Sequence, residues 1–382
     1  MTWTKKEWAQ STNMAFYIAG MSGTPSLTIG GPGSAKSQSV ISFAKSLGYD
    51  PLLLICSNRA AEDFSGIPRL DLTHYETVPA DFLMRATQPK CCLIFDELLA
   101  VPPHVRAAVM SIWSERIFAT KHRLADDCLI FGMANPPEQT PNGSPLEPPI
   151  ANRFFHHKWK HNYADWKTGM LTADLQFPAP SFPDMPTPDQ TVSQRIKYGA
   201  LIVTYCDQNP QDRERFSDNP EELSYPTPRS WTNLRNALAI ADAMGATEDV
   251  TRDLCVGFVG RSAGQALNAL IANADLLPAD EYLEGKFTYH YQKNKPEEAV
   301  VLMANLTTAL RLNYSDDRLA AALHVFCHDI GQHNREIVCA QLKALTDTRP
   351  KGTMLNADAL TELTEFGQRL TPTMKKAAAS RK

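Results

Sequence analysis

Residues 28–39, TIGGPGSAKSQS, decide how this chain is read. An apolar run (SLTI, 26–29) leads in, small and turn-forming residues follow, and Lys36-Ser37 opens a stretch of helical spacing. Val40, Ile41, Ala44 and Leu47 share one face of that stretch, and Gly48 ends it. A strand, a glycine-rich turn and a helix in this order can cradle phosphate. Successive backbone N–H groups point inward, and the helix start adds its positive end. The pattern G-x-x-x-x-G-K-[ST] is met by Gly30, Lys36 and Ser37, but Ala35 stands where the second fixed glycine belongs. Alanine fits there if that residue has helical φ, because only positive φ demands glycine. Gly31, Pro32 and Gly33 keep the turn tight. The candidate nucleotide-binding residues are therefore Gly30, Gly31, Pro32, Gly33, Ser34, Ala35, Lys36, Ser37 and Gln38. The alternative is a glycine-rich turn that precedes a lysine by chance.

Outward from the loop, short apolar runs alternate with helical patterns to about residue 160, the signature of a layered α/β domain. The runs are SLTI (26–29), PLLLIC (51–56), CCLIF (91–95) and CLIFGM (128–133). They are continuously apolar, as parallel strands covered on both faces should be. PPHVRAAVMSIWSE (102–115) reads as a helix with prolines at its tolerant start. About sixty residues past the lysine, CCLIFDELL ends a strand in Asp96-Glu97. An acidic pair there can be a helix cap. After a phosphate loop it is also the pair that serves a nucleotide: Ser37 and Asp96 hold Mg²⁺, and Glu97 polarises the attacking water.

With both motifs in this order, the chain resembles the AAA+ ATPases, and within them the MoxR-like, helix-2-insert group. Four more stretches carry the resemblance. FGMANPPE (131–138) resembles the sensor 1 strand end, with Asn135 orienting water against the γ-phosphate. EPPIANRFFH (147–156) resembles the arginine-finger segment, with Arg153 facing a neighbouring subunit. PTPRSW (226–231) resembles the sensor 2 motif opening a lid helix, with Arg229 as its arginine. CSNRAAEDFSGIP (56–68) resembles the segment that leads into the helix-2 insert, and RIFATKHRLADDC (116–128) reads as a hairpin. Asn152 stands where aspartate is more usual, and either arginine could be structural instead.

The resemblance implies a P-loop AAA+ αβα sandwich with a parallel sheet at 1–175, a proline-rich linker at 176–190, an α-helical lid at 191–275 and a helical C-terminal extension at 276–382. It also implies Mg²⁺-dependent ATP hydrolysis in a homo-oligomeric ring, usually a hexamer. The role would be chaperone-like remodelling of a protein client, often with a separate von Willebrand factor A domain protein. A DNA-translocating or replication-linked motor is the alternative.

Composition narrows these readings. Over 382 residues the formal net charge is −4, which argues against a chain coated in phosphate-neutralising lysines and against a nucleic-acid partner. Eight cysteines form no CxxC pair and read as buried apolar residues of a reducing compartment. No apolar run reaches membrane-spanning length, so a cytoplasmic protein is expected. His324, Cys327, His328 and His333 lie close in sequence, but the intervening Val325, Phe326 and Ile330 suggest a packed helix, and no metal is assigned to them. RFFHHKWKHNYADW (153–166) is read as packing between core and lid rather than as a base-stacking surface.

Overall fold

The computed structural model describes residues 12–70, 74–140, 146–172, 185–216, 222–274, 279–293, 296–346, 348–350 and 353–379. The expected linker at 176–190 lies outside them up to residue 184. The chain divides into two compact units, Met1–Val192 with Glu214–Gln265, and Ser193–Arg213 with Ala266–Lys382. The 191–275 stretch expected as a lid contributes to both.

The first unit runs α1 (Met14–Met21), β1 (Ser26–Ile29), α2 (Lys36–Ser46), β2 (Asp50–Ile55), α3 (Ala61–Ser65), β3 (Ile67–Leu70), β4 (Tyr75–Val78), α4 (Asp81–Met84) and β5 (Cys91–Asp96). It continues through α5 (Pro103–Glu115), β6 (Ile117–Phe118), β7 (His122–Arg123), β8 (Leu129–Ala134), α6 (Pro148–Ala151), β9 (Phe155–Lys158) and α7 (Tyr163–Met170). Five strands form one sheet in the order β2-β5-β8-β1-β9, and every pairing within it is parallel. The four apolar runs of the sequence are β1, β2, β5 and β8, each placed to within one residue. The expected 116–128 hairpin is β6–β7. A second antiparallel hairpin, β3–β4, follows α3, with Ile67, Leu70 and Tyr75 exposed.

β5 and β8 are continuously apolar because both faces of the sheet are covered there, whereas β2, at the edge, is covered on one face only and leaves Leu53 and Ile55 exposed. Leu93 and Phe95 of β5 join Val105, Val109, Ile112 and Trp113 of α5 in one core cluster, where Phe95 and Trp113 meet edge to face at 5.1 Å. On the other face Phe131 of β8 packs against Phe16 of α1 at 5.0 Å and Phe43 of α2 at 5.8 Å. The fold is α/β, a parallel sheet between helices.

The rest is helical: α8 (Val192–Gln208), α9 (Pro228–Ala243), α10 (Glu248–Val259), α11 (Arg261–Ala274), α12 (Ala279–Leu283), α13 (Pro296–Leu312), α14 (Asp316–His324), α15 (Arg335–Thr346) and α16 (Ala357–Ala379). The C-terminal unit has its own core, in which Leu302, Leu306 and Leu310 of α13 meet Leu323, Phe326 and Phe366. The packed helix expected around Val325, Phe326 and Ile330 changes winding at Val325, where a π-helical segment runs to Ile330. The wider turn puts Val325, Phe326, Cys327 and Ile330 all into the core.

Candidate functional site

In a parallel sheet every strand delivers its C-terminal end to the same edge, so residues far apart in sequence converge there. β1 feeds the loop 30–35, whose first amide, that of Gly30, donates to Ala134 O at the end of β8 (3.1 Å). Asp96 ends β5, Asn135 follows β8, and Ser57 lies two residues beyond β2. The start of α2 adds backbone N–H groups that no earlier turn can satisfy.

Lys36 is 7% exposed. Its Nζ donates to Gly30 O (2.7 Å), Gly31 O (2.8 Å) and Asn135 Oδ1 (3.0 Å), and more weakly to Ser34 Oγ (3.5 Å). All of these acceptors are neutral, and among the described residues no carboxylate is within ion-pair distance. Burial pushes the ammonium pKa below its ordinary value, and the charge of Asp96 opposes that shift. A desolvated cation held by neutral oxygens favours an anion beside it. Ser37 Oγ donates to Asp96 Oδ2, so one hydroxyl and one carboxylate oxygen converge on a point. Hard oxygen donors with a single carboxylate suit Mg²⁺, which keeps most of its waters. These residues fit that ion.

Glu97 and Ala35 share an unusual backbone. Glu97 has φ 58°, its amide donates to Asp96 Oδ1 (2.8 Å), and its carboxylate accepts from the Ser57 hydroxyl. Ala35 has φ 61° and ψ 23°, which is left-handed. The condition set for alanine at this position, helical φ, is therefore not met. The turn into α2 needs positive φ here, and alanine adopts it at a cost of about 1–2 kcal/mol. Gly33, at φ 72°, is a glycine for the same reason. Gly30 is a glycine for another: a Cβ there would sit 2.6 Å from the Cβ of Trp159. Pro32, Gly33, Ala35 and Gln38 are exposed on the loop and first helical turn, while Gly31 and Ser34 are half-buried.

Arg153 and Arg229 belong to the opposite end of the sheet. Phe155 opens β9 opposite Ser26 at the start of β1, whereas the loop 30–35 leaves from Ile29 at its end. Arg153 precedes Phe155 by two residues, so a strand's length of about 10 Å lies between its backbone and the loop edge. Helix α6, which leads to it, is anchored twice. Arg106, 1% exposed, pairs with Glu147 at 3.2 Å, and Tyr225 Oη donates to Pro148 O at 2.8 Å. Arg229 is exposed on the first turn of α9. That helix is capped by Thr227, whose Oγ1 accepts from Ser230 N (3.1 Å) and donates to Asn152 Oδ1 (3.1 Å). The two arginine segments are thus joined to each other, while Lys36, Ser37, Asp96, Glu97 and Asn135 gather at the other edge.

Two features of this region were not read from the sequence. Ser57, inside the 56–68 stretch, was given no role of its own, although the pairing of Ile55 with Asp96 is what sets it beside Glu97. The fifth strand, β9, lay hidden in the aromatic stretch 153–166. Phe155 does pack against a helix there, 4.9 Å from Phe258 of α10. Burial holds the His156 and His157 imidazoles down at about 4, so both are neutral at pH 7. A cavity of about 1020 Å³ opens beside the loop, bordered by Gly30, Gly31, Glu138, Trp159, Arg252 and Asp253 among others.

In the C-terminal unit, His324 is paired with Glu362 (2.8 Å), His328 Nδ1 accepts from Gln332 Nε2 (2.8 Å), and His333 stacks on Tyr291. Among the described residues, no group of three His, Cys, Asp or Glu side chains is placed to hold a metal ion. Among the same residues, no helix is long and apolar enough to cross a membrane.

No protein-family model matches the chain, and no curated protein matches it. Among solved structures it is similar to a "putative ATPase" from Cytophaga hutchinsonii. That likeness has 14% identity and a TM-score of 0.44, over 64% of this chain and 80% of that one. At that identity and score, the likeness adds nothing to what the site geometry says.

Proposed function

We propose that the chain is a Mg²⁺-dependent ATPase of the MoxR-like AAA+ kind, working in a homo-oligomeric ring in the cytoplasm. The observation that carries this reading is the meeting of Lys36, Ser37, Asp96 and Asn135 at the C-terminal edge of a parallel sheet. Lys36 would leave its neutral acceptors for the β- and γ-phosphates, with the loop and α2 amides binding the remaining oxygens. Ser37 and Asp96 would hold Mg²⁺, which supplies charge neutralisation at the phosphates when bound. Glu97 would take the proton of the attacking water and Asn135 would orient it. Arg153, with Arg229 on the segment joined to it, would face the γ-phosphate held by a neighbouring subunit. Hydrolysis would then drive remodelling of a protein client, reached directly or through a separate von Willebrand factor A domain protein.

The test is a titration with fluorescent ATP in Mg²⁺. Lys36→Ala should abolish tight binding, because it removes the buried charge that faces the phosphates. Unchanged affinity would overturn the phosphate-loop reading.

A further inference from the structure

Trp159 is the first residue past the edge strand β9, and it is tied to the candidate phosphate loop three ways. Its amide donates to Ile29 O (2.8 Å), which continues the β9–β1 pairing by one residue. Its Cβ occupies the space over Gly30 that any larger residue there would fill. Its indole Nε1 reaches across the loop and donates to Ser34 O (3.0 Å). That carbonyl belongs to the peptide unit leading into left-handed Ala35. In a trans peptide the C=O and N–H point in opposite directions, so holding the Ser34 carbonyl also turns the Ala35 N–H away from the indole.

The next residue is tied to other elements. Lys160 N donates to Asn13 Oδ1 (2.8 Å) and Lys160 O accepts from Asn13 Nδ2 (2.9 Å), a two-point bridge to the residue before α1. Its ammonium pairs with Asp253 of α10 at 2.6 Å. Two adjacent residues thus join the loop to α10, and both border the 1020 Å³ cavity.

We infer that Trp159 is a positioning residue for the phosphate loop, and that the Trp159–Lys160 strap couples the loop to helix α10 through Asp253. This rests on the nucleotide reading of the site. The strap sets which way a loop peptide faces, so it acts on nucleotide binding as a whole and not on the chemical step.

The test compares Trp159→Phe, which keeps the ring but loses the donor, with Asp253→Asn, which keeps the shape but loses the ion pair. Fluorescent-ATP affinity and steady-state turnover are measured on the full chain. One hydrogen bond of this kind corresponds to roughly a 3- to 10-fold change. Trp159→Phe should weaken affinity and raise KM by about that factor, with kcat near the parental value. Asp253→Asn should weaken affinity by a smaller factor, and the double variant should fall short of the product of the two, since both act through one strap.

Parental affinity in Trp159→Phe, or full additivity in the double variant, overturns the inference. A fall in kcat without a rise in KM does so too. If Trp159→Phe does not fold, Asp253→Asn decides alone, and parental affinity there overturns the coupling. Lys36→Ala separates the two levels of failure. If it abolishes binding while the strap variants change nothing, only the strap is wrong; if it also binds normally, the nucleotide reading falls first.

Discussion

The two ends of one parallel sheet are built differently. At the C-terminal edge, side chains from behind β1, β2, β5 and β8 already touch in pairs: Lys36 with Asn135, Ser37 with Asp96, and Ser57 with Glu97. At the N-terminal edge, Arg153 and Arg229 stand on two segments braced against each other by Thr227–Asn152 and Tyr225–Pro148. Both ends are held firmly, but a strand's length separates them. Under the proposed function, Arg153 would therefore serve the site of a neighbouring subunit rather than its own. That separation suits the proposed head-to-tail ring, in which each subunit would both donate and receive.

The largest expected effect comes from emptying the far end. Arginine fingers contribute about 10³–10⁵ in rate in other NTPases. Arg153→Ala should lower ATP turnover on that scale while leaving nucleotide affinity near the parental value, because its own Lys36 edge is intact. Mixing it with Lys36→Ala sharpens the comparison. In mixed rings some intact pockets would sit beside intact arginines, so part of the activity should return once subunit exchange is verified. Verified mixed rings with no recovery would mean that the two ends do not serve different subunits.

Next in size is a change confined to the near end. Glu97→Gln keeps the shape and the acceptor for the Ser57 hydroxyl but cannot take a proton. Turnover should fall by about 10²–10⁴, with ATP binding retained and assembly unchanged or strengthened. Parental turnover would place the water-activating role on another residue.

How much of this was legible in the sequence differs by region for physical reasons. β5 and β8 are buried on both faces, so burial wrote an unbroken apolar run at each, and their ends named Asp96 and Asn135 directly. β9 is an edge strand of four residues, FHHK, in which two histidines break the run and a flanking tryptophan and lysine suggest a surface. Its pairing comes from the sheet and leaves little trace in composition. Ser57 is visible only through register, because a lone serine after a strand has no pattern of its own. The left-handed backbone at Ala35 could not be read from the sequence because alanine is the residue that hides strain best. Having no branched side chain, it can follow the turn without any other mark in the sequence.

That strain gives the smallest prediction and the most direct reading of the loop itself. Ala35 is exposed, so replacing its methyl group loses no packing. Ala35→Gly relieves a left-handed cost of about 1–2 kcal/mol. It gives back roughly 0.4–1 kcal/mol because glycine loses more freedom on folding. The net should be a gain of about 0.5–1 kcal/mol, seen as a rise of about 2 °C in the thermal midpoint. ATP affinity should barely change. Ala35→Val should move the midpoint the other way, since a branched side chain suits left-handed φ worse. A lower midpoint for Ala35→Gly would mean that the loop does not hold this backbone in solution. The contrast with Glu97 explains why only one of the two strained positions is open to such relief. At Glu97 the side chain is what the proposed chemistry uses, so glycine would remove strain and function together. At Ala35 only the backbone is used, and the strain can be removed without touching the group that works.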